Sequence, residues 1–324
     1  MSGGVDSSVA AALLKKQGFQ VTGVFMKLNS RSSDSEFRAR KVAEVLEIPF
    51  KAVDFRKEFR KKVIGAFLKE YHLGFTPNPC VVCNKEIKFG LLLKKALAFN
   101  ADYVASGHYV QKKGVKLTQG KDHLKDQSYF LWKLDQKQIK RILFPVGSYT
   151  KSQVRAMAKK FGLPVWQAPE SQEICFVDSE INNFLRKHLK SEKGEIIDTC
   201  GKVLGKHQGL IFYTIGQRKG IGLPQGPYWV KDRDFKKNVL VVTKNENDLL
   251  KKELVFRDAN WLSGKPLKFP FKATAKIRYR SKLASVNVFY GNRVVFSQPQ
   301  RAITPGQSVV FYKNQELLGG GIIS

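Results

Sequence analysis

Three groups of residues have types and spacings that could do chemistry. The first is Cys80-Val81-Val82-Cys83, in the stretch TPNPCVVCNKEIKF at residues 76–89, just ahead of a predicted helix. A thiol near a helix N-terminus and beside lysines is expected to ionise below the roughly 8.5 of a free cysteine. That makes Cys83 a candidate nucleophile. A zinc half-site is the competing reading of Cys-x-x-Cys, but no second Cys-x-x-Cys or His pair stands at zinc spacing, so no metal ligands are assigned on spacing. The second group is Cys175, in the polar stretch PESQEICF at residues 169–176. A lone cysteine is often a small buried hydrophobe, yet Glu170, Ser171, Gln172 and Glu173 argue against an apolar pocket. The third is the loop Ser2-Gly3-Gly4-Val5-Asp6-Ser7-Ser8. Adjacent glycines let backbone approach a ligand closely, and the N–H groups of the helix that follows suit phosphate or pyrophosphate. The loop lacks the lysine of G-x-x-x-x-G-K-[ST], which argues against γ-phosphate transfer. Cys200, beside Gly201, reads as structural.

Several elements must hold these groups in place. The Ala/Leu helix after the loop stops at Gly18, and β-branched and aromatic residues at 20–28 and 48–55 read as strands. Ser33 and Glu36 have capping-box spacing before a helix with Ala39, Val42, Ala43 and Leu46 on one face, and Thr150 and Gln153 repeat that spacing. Further helices are expected from residue 56 to about 71 and over 86–99, and a short strand at 103–105 leads to Ser106-Gly107-His108. The alternation predicts an α/β Rossmann-like domain with a parallel sheet covered on both faces, its ligands at the carboxyl ends of the strands. From residue 253 only strand signals with short turns remain, as in a small β-barrel. The expected division is 1–178 for the phosphate-loop domain, 179–248 for a small central domain and 249–324 for the barrel.

The 324 residues carry a formal net charge of +30, spread along the chain, which points to a polyanionic partner tracked through phosphates. A solvated basic surface is the alternative. No apolar run approaches the roughly 20 residues of a membrane span and no signal peptide is recognisable, so no membrane role is expected. Four cysteines in a chain of this size do not make a secreted disulfide framework and fit a reducing cytoplasm.

The loop at residues 2–8 resembles the PP-loop of ATP pyrophosphatases, which cut ATP between the α and β phosphates to adenylate an oxygen. Joined with residues 76–89, ASGHY at 105–109, KDQSYFL at 125–131, residues 170–176 and GLIFYTIGQRKG at 209–220, it makes the chain similar to the tRNA-specific 2-thiouridylases, the MnmA family. The resemblance implies a tRNA sulfurtransferase that adenylates the 2-oxygen of the wobble uridine with ATP and Mg and replaces it by sulfur. It implies ATP contacts at Ser2, Gly3, Gly4, Val5, Asp6, Ser7, Ser8, Met26 and Gly107, although Met26 also reads as core packing. It implies a persulfide on Cys175, with Cys83 attacking it or closing a disulfide with it, and a sulfur donor such as a cysteine desulfurase or a sulfur-relay protein. The implied tRNA contacts are Asn78, Pro79 and Cys80 near a flipped base, then His108, Lys125, Asp126, Gln127, Arg278, Tyr279 and Gln307, with Lys125 and Arg278 suited to phosphates and Tyr279 to stacking. Arg218 and Lys219 are further basic candidates.

One departure from the family pattern matters. Much of the family has Asp where this chain has Cys80, so Cys80, Cys83 and Cys175 form an alternative set able to hold a 4Fe–4S cluster with one open iron. The buried strand that normally precedes such a loop is absent before Met1, which predicts a late-assigned start or a truncation and a weaker ATP site. Two other readings remain. One is a different PP-loop adenylating enzyme, such as a lysidine synthetase or an amidotransferase-type ligase. The other is a tRNA-binding protein with a decayed ATP site.

Overall fold

A computed structural model describes the chain except residues 31, 170–173, 178, 179 and 266. The glycine loop runs into helix α1 (Val5–Lys16), whose Val5, Val9, Ala12 and Leu13 are buried. The helix ends where Gly18 takes φ +87, a conformation glycine adopts without a steric penalty. Strand β1 (Gly23–Lys27) pairs in parallel with β2 (Phe50–Asp54), Gly23 lying opposite Phe50. Between them helix α2 (Ser33–Val45) buries Ala39, Val42 and Ala43. The capping box expected at Ser33 does not form, because Ser33 is already helical and Ser32 is the cap, without a side-chain bond. Glu36 instead pairs with Lys27 at 3.0 Å and Arg40 at 3.5 Å, so ion pairs take the carboxylate that the cap would have used.

A long helical arm follows in three stretches, Arg56–Phe59, the π-wound Arg60–Ile64 and Gly65–His72. Its Phe59, Val63, Phe67 and Tyr71 recur every fourth residue and are all buried in one core. The cysteine-bearing helix is likewise composite: Pro79–Cys83, a π-wound Asn84–Leu91, then Leu92–Leu97. Strand β3 (Val104–Ala105) leads to the hairpin β4 (Val110–Lys113) and β5 (Lys116–Gln119), and β6 (Ile142–Leu143) returns parallel to β3. The parallel strands of this α/β part are therefore two short pairs. Helix Lys151–Lys160 packs back on α1.

After helix Ile181–His188, strands β7 (Gly194–Ile197), β8 (Val203–His207), β9 (Trp229–Asp234) and β10 (Val239–Thr243) form a sheet in the order β8-β7-β10-β9. Ile196, Val230, Leu240 and Val242 share a core with the helical arm, which seats the central part on the first. The chain ends in β11 (Leu250–Trp261), β12 (Phe271–Lys276), β13 (Ala284–Phe289), β14 (Arg293–Arg301), β15 (Ser308–Lys313) and β16 (Glu316–Ile323). Their order is β11-β14-β13-β12-β15-β16, and pairing of β11 with β16 closes a barrel around Phe256, Val288, Val294, Phe296, Val309 and Phe311. The strand periodicity anticipated this barrel. It did not anticipate that β5 joins β16 through Thr118 and Glu316, extending the barrel sheet with a hairpin from the first part of the chain. Among the described residues no helix is long and apolar enough to cross a membrane.

Candidate active site

The phosphate loop is held by its own hydroxyls. Ser8 Oγ donates to the Gly4 carbonyl at 2.8 Å and Ser7 Oγ to the same oxygen at 3.2 Å, while the Ser2 N–H donates to Ser7 Oγ at 3.0 Å. Gly4 caps α1 with no side-chain bond, which leaves the first-turn N–H groups to a ligand. Gly3 sits at φ +74 with the Ser35 carbonyl where a Cβ would be, so a side chain there would meet both strain and backbone. Gly107 closes the other side: a Cβ on it would stand 2.6 Å from the Asp6 carbonyl carbon and the Ser7 nitrogen. At both positions backbone lies against backbone with no room for a side chain. Met26 is half-buried on β1 and packs against the arm's core. Met1 lies beside β1, its nitrogen donating to the Val24 carbonyl.

Two residues of this loop environment were missed by sequence reasoning. Asp6 Oδ1 accepts from the Tyr109 hydroxyl at 2.7 Å and from Lys151 Nζ at 2.6 Å. Lys151 opens the helix whose Thr150–Gln153 capping box forms as the spacing predicted. The cap was visible locally, but nothing local ties Lys151 to a carboxylate 145 residues away.

The thiols sit on the cysteine helix and on the loop after the Lys151–Lys160 helix. Asn78 caps the cysteine helix by accepting from the Cys80 N–H at 3.2 Å, with Pro79 at the first helical position. Cys83 is only 7% exposed, in the core with Phe59, Ile87 and Phe176; Cys80 is half-buried and Cys175 is exposed. The backbone of Cys175 is tied to Asn29 Nδ2 at 3.3 Å, and the adjacent Phe176 ring packs edge-on to Phe59 and Phe67. Residues 170–173, the rest of that motif, lie outside the described residues.

The expectation of lowered thiol pKa values is corrected by the structure. Burial pushes Cys83 up to about 12 and raises Cys80 and Cys175 as well, against a smaller lowering from Lys88 at all three. Desolvation of a thiolate outweighs one nearby ammonium. Cys175 is raised even though exposed, because the chain around it removes part of the thiolate's hydration. Cys200, expected to be structural, is exposed in the turn between β7 and β8. All four cysteines are free, and among the described residues no group of three or more His, Cys, Asp or Glu could hold a metal ion. Cys80, Cys83 and Cys175 are thus not arranged as a metal-ligand group in this conformation.

The tRNA methyl transferase HUP domain family matches residues 1–179, the tRNA methyl transferase PRC-barrel domain family matches 182–244, and an aminomethyltransferase β-barrel domain family matches 251–323. The tRNA-specific 2-thiouridylase MnmA 2 of Thermoanaerobacter pseudethanolicus is 47% identical over 350 residues, covering 100% of this chain and 96% of that one. The tRNA-specific 2-thiouridylase MnmA of Clostridioides difficile is 45% identical over 348 residues with the same coverage. The chain belongs to the tRNA-specific 2-thiouridylase family. Among solved structures, the U34-tRNA thiolase NcsA of Methanococcus maripaludis with its 4Fe–4S cluster covers 58% of this chain and 61% of that one at 19% identity, with a TM-score of 0.37, too distant a likeness to bear on the site.

The residues that the thiouridylase resemblance marks for tRNA fall into two kinds here. His108, Asp126 and Arg278 face protein. The His108 ring is 7% exposed against Phe89 and Phe144, with Ser106 Oγ at Nδ1, and burial keeps its pKa well below the usual 6.5, so it is neutral rather than a phosphate partner. Asp126 is a buried hub. Its oxygens accept from the Gly120 and Ser128 N–H groups, Ser128 Oγ and Gln119 Nε2 at 3.0–3.1 Å, and lie 3.4 Å from Lys276 Nζ. Arg278 Nη2 donates to the carbonyls of Ile215 and Ala302 at 3.0 and 2.8 Å and to Thr304 Oγ1, linking the barrel to the central part. His108 and Asp126 thus spend their polar atoms on neighbouring protein groups, and Arg278 is engaged through Nη2.

Lys125, Gln127, Tyr279 and Gln307 are half-buried and line the seams. Gln127 braces the Tyr109 backbone at 3.1 Å, Gln307 Nε2 donates to the Thr76 carbonyl at 2.8 Å, and the Tyr279 ring lies 4.4 Å from that of Phe130. Arg218 and Lys219 edge an open surface pocket of about 640 Å³ beside Tyr228 in the central part.

Proposed function

We propose that this chain is an ATP-dependent tRNA sulfurtransferase that exchanges the 2-oxygen of the wobble uridine for sulfur. One observation carries the reading. Gly107 lies on the phosphate loop while its neighbour His108 sits in the field of Lys88, the same lysine felt by Cys80, Cys83 and Cys175. The Gly107-His108 segment thus links the glycine loop to the side of the molecule that carries the thiols, which supports joining nucleotide and thiol chemistry in one reaction. An amine-accepting PP-loop ligase has no use for such thiols.

The uracil 2-carbonyl is a poor electrophile, and ATP makes it a good one. The uridine O2 attacks the α-phosphorus, pyrophosphate leaves towards the N-terminus of α1, and the N3 proton departs. Magnesium would travel on the triphosphate oxygens, since Asp6 Oδ1 is already taken by Tyr109 and Lys151. Exposed Cys175 is the thiol an outside persulfide donor can reach, and it accepts a sulfane sulfur with release of the donor thiol. The terminal sulfur attacks C2 and AMP leaves with the original oxygen. Cys83 thiolate then attacks the Cys175 sulfur, the 2-thiouridine sulfur leaves with the bonding electrons, and N3 is reprotonated. The resulting Cys83–Cys175 disulfide is returned to two thiols by an external dithiol.

Incubation with a uridine-34 tRNA transcript, ATP, a persulfide donor and a dithiol should yield 2-thiouridine by nucleoside mass spectrometry, with one pyrophosphate per product. Cys83→Ser and Cys175→Ser should each lower product at least about a thousandfold, as loss of a covalent participant does. Full product from Cys175→Ser, or thiolation without ATP, would refute the reading.

A further inference from the structure

Cys83 and Lys88 are five positions apart. In an α-helix of 3.6 residues per turn such positions point about 140° apart. Here the helix changes its winding directly after Cys83: Asn84–Leu91 is π-wound, and the Leu92 N–H donates to the Ile87 carbonyl five residues back. Under that winding, residues five apart fall on one side of the helix. Gly90 permits it, because a Cβ there would stand 2.7 Å from the Lys85 carbonyl oxygen, crowding the widened turn. Long π stretches are rare and tend to mark functional sites.

The side chains on this stretch are not equivalent. Lys85 pairs with Asp135 at 2.7 Å and Glu86 with Lys62 at 2.7 Å. Lys88 is half-buried and, among the described residues, makes no hydrogen bond or ion pair. The charged groups felt at Cys83 are Lys88, Cys175 from the loop after the Lys151–Lys160 helix, and Cys80 from its own helix. From the adjoining arm Lys62 is turned to Glu86, and from the turn at Ser128–Leu131 the Tyr129 hydroxyl is held on the Ser308 carbonyl at 2.9 Å. Among the described residues, Lys88 is the cation whose field reaches all three thiols.

We infer that Lys88 is a positioning residue for sulfur transfer: the π-wound turns set it on the Cys83 side of the helix, where its ammonium stabilises the Cys83 thiolate that attacks the persulfide. This rests on the sulfur-transfer reading above for its purpose but not for its physical content. Burial, with a smaller contribution from the same ammonium, opposes protonation of His108, so the lysine and not the imidazole carries the positive charge there.

The test uses full-length protein: wild type, Lys88→Met and Lys88→Arg. Each is alkylated with iodoacetamide from about pH 6 to about pH 10, and each cysteine peptide is quantified by mass spectrometry, with exposed Cys200 as internal reference. Since the thiolate is the reacting species, Lys88→Met should slow Cys83 about tenfold at each pH, the equivalent of about one pKa unit, and slow Cys80 and Cys175 in the same direction. Lys88→Arg should stay within about twofold of wild type, and Cys200 should not change. The sign excludes a purely structural role, because loosening the helix would expose Cys83 and speed its alkylation. Unchanged or faster Cys83 alkylation in Lys88→Met overturns the inference even if thiolation still needs Cys83. Slowed alkylation supports it even if wild type forms no 2-thiouridine, a result that would remove the sulfur-transfer reading alone.

Discussion

His108 and Asp126 show how far a side chain's surroundings reshape its chemistry. His108 is buried and neutral, so the folded protein resists a proton that the unfolded chain accepts near pH 6.5. The unfolded state then binds more protons below that pH, and stability falls as the solution is acidified. His207, also lowered by burial, adds in the same direction. The denaturation midpoint in urea should drop from pH 7 to pH 5, with a limiting slope of about 1.4 kcal/mol per pH unit for His108. His108→Gln should flatten that dependence, and an unchanged slope would show that another group is responsible. Asp126 carries no side-chain exposure and accepts from four donors besides Lys276. Asp126→Ala leaves a buried ammonium unpaired and should cost about 3–5 kcal/mol in urea unfolding. A residue serving only to contact tRNA would weaken tRNA binding at unchanged stability.

Among the elements, the phosphate loop and the cysteine helix both depend on missing Cβ atoms. Gly107→Ala must push apart the Asp6–Ser7 backbone, which a Cβ would meet at 2.6 Å, and with it the first turn of α1. ATP affinity by calorimetry should fall at least about tenfold, with a stability loss of about 1–3 kcal/mol from overpacking. Binding equal to wild type would mean that the loop and the Ser106-Gly107-His108 segment move independently. Gly90→Ala should tighten the π-wound turn toward an α-helix, a change measurable as altered Cys83 reactivity. These requirements were only partly legible: adjacent glycines advertised the loop, whereas the winding of the cysteine helix has no local signature beyond one glycine.

For the whole molecule, the barrel is part of the catalytic body. Trp132 Nε1 donates to Ser308 Oγ at 2.9 Å, the Ser128 and Tyr312 hydroxyls meet at 3.1 Å, the Thr76 N–H donates to the Pro305 carbonyl at 2.9 Å, and β5 pairs with β16. A fragment ending at residue 248 should therefore lack native near-ultraviolet circular dichroism rather than fold as an intact first part. A native-like spectrum from it would contradict this dependence. The net charge of +30 also acts at this scale, as a broad field instead of one patch. If it tracks tRNA phosphates, binding should weaken at least about a hundredfold between about 50 and about 200 mM salt, measured by filter retention. A flat salt dependence would leave the charge as surface solvation.

The sequence by itself determined what depends on neighbours in the chain. The Ser2–Ser8 string specified a glycine loop opening a helix, Thr150 and Gln153 specified a cap, and hydrophobic periodicity separated the α/β part from the barrel. These features rest on hydrogen bonds and side-chain repeats within a few residues, so local composition suffices. Tertiary structure alone decided which thiol is hidden and which is open, and reversed the direction of the thiol pKa shifts. It likewise joined Lys151 to Asp6 and Lys276 to Asp126, and fastened the β4–β5 hairpin to the barrel. Burial and electrostatic field are sums over groups far apart in sequence, and helical propensity beside Cys83 carries no information about a desolvating wall built by Phe59 and Phe176.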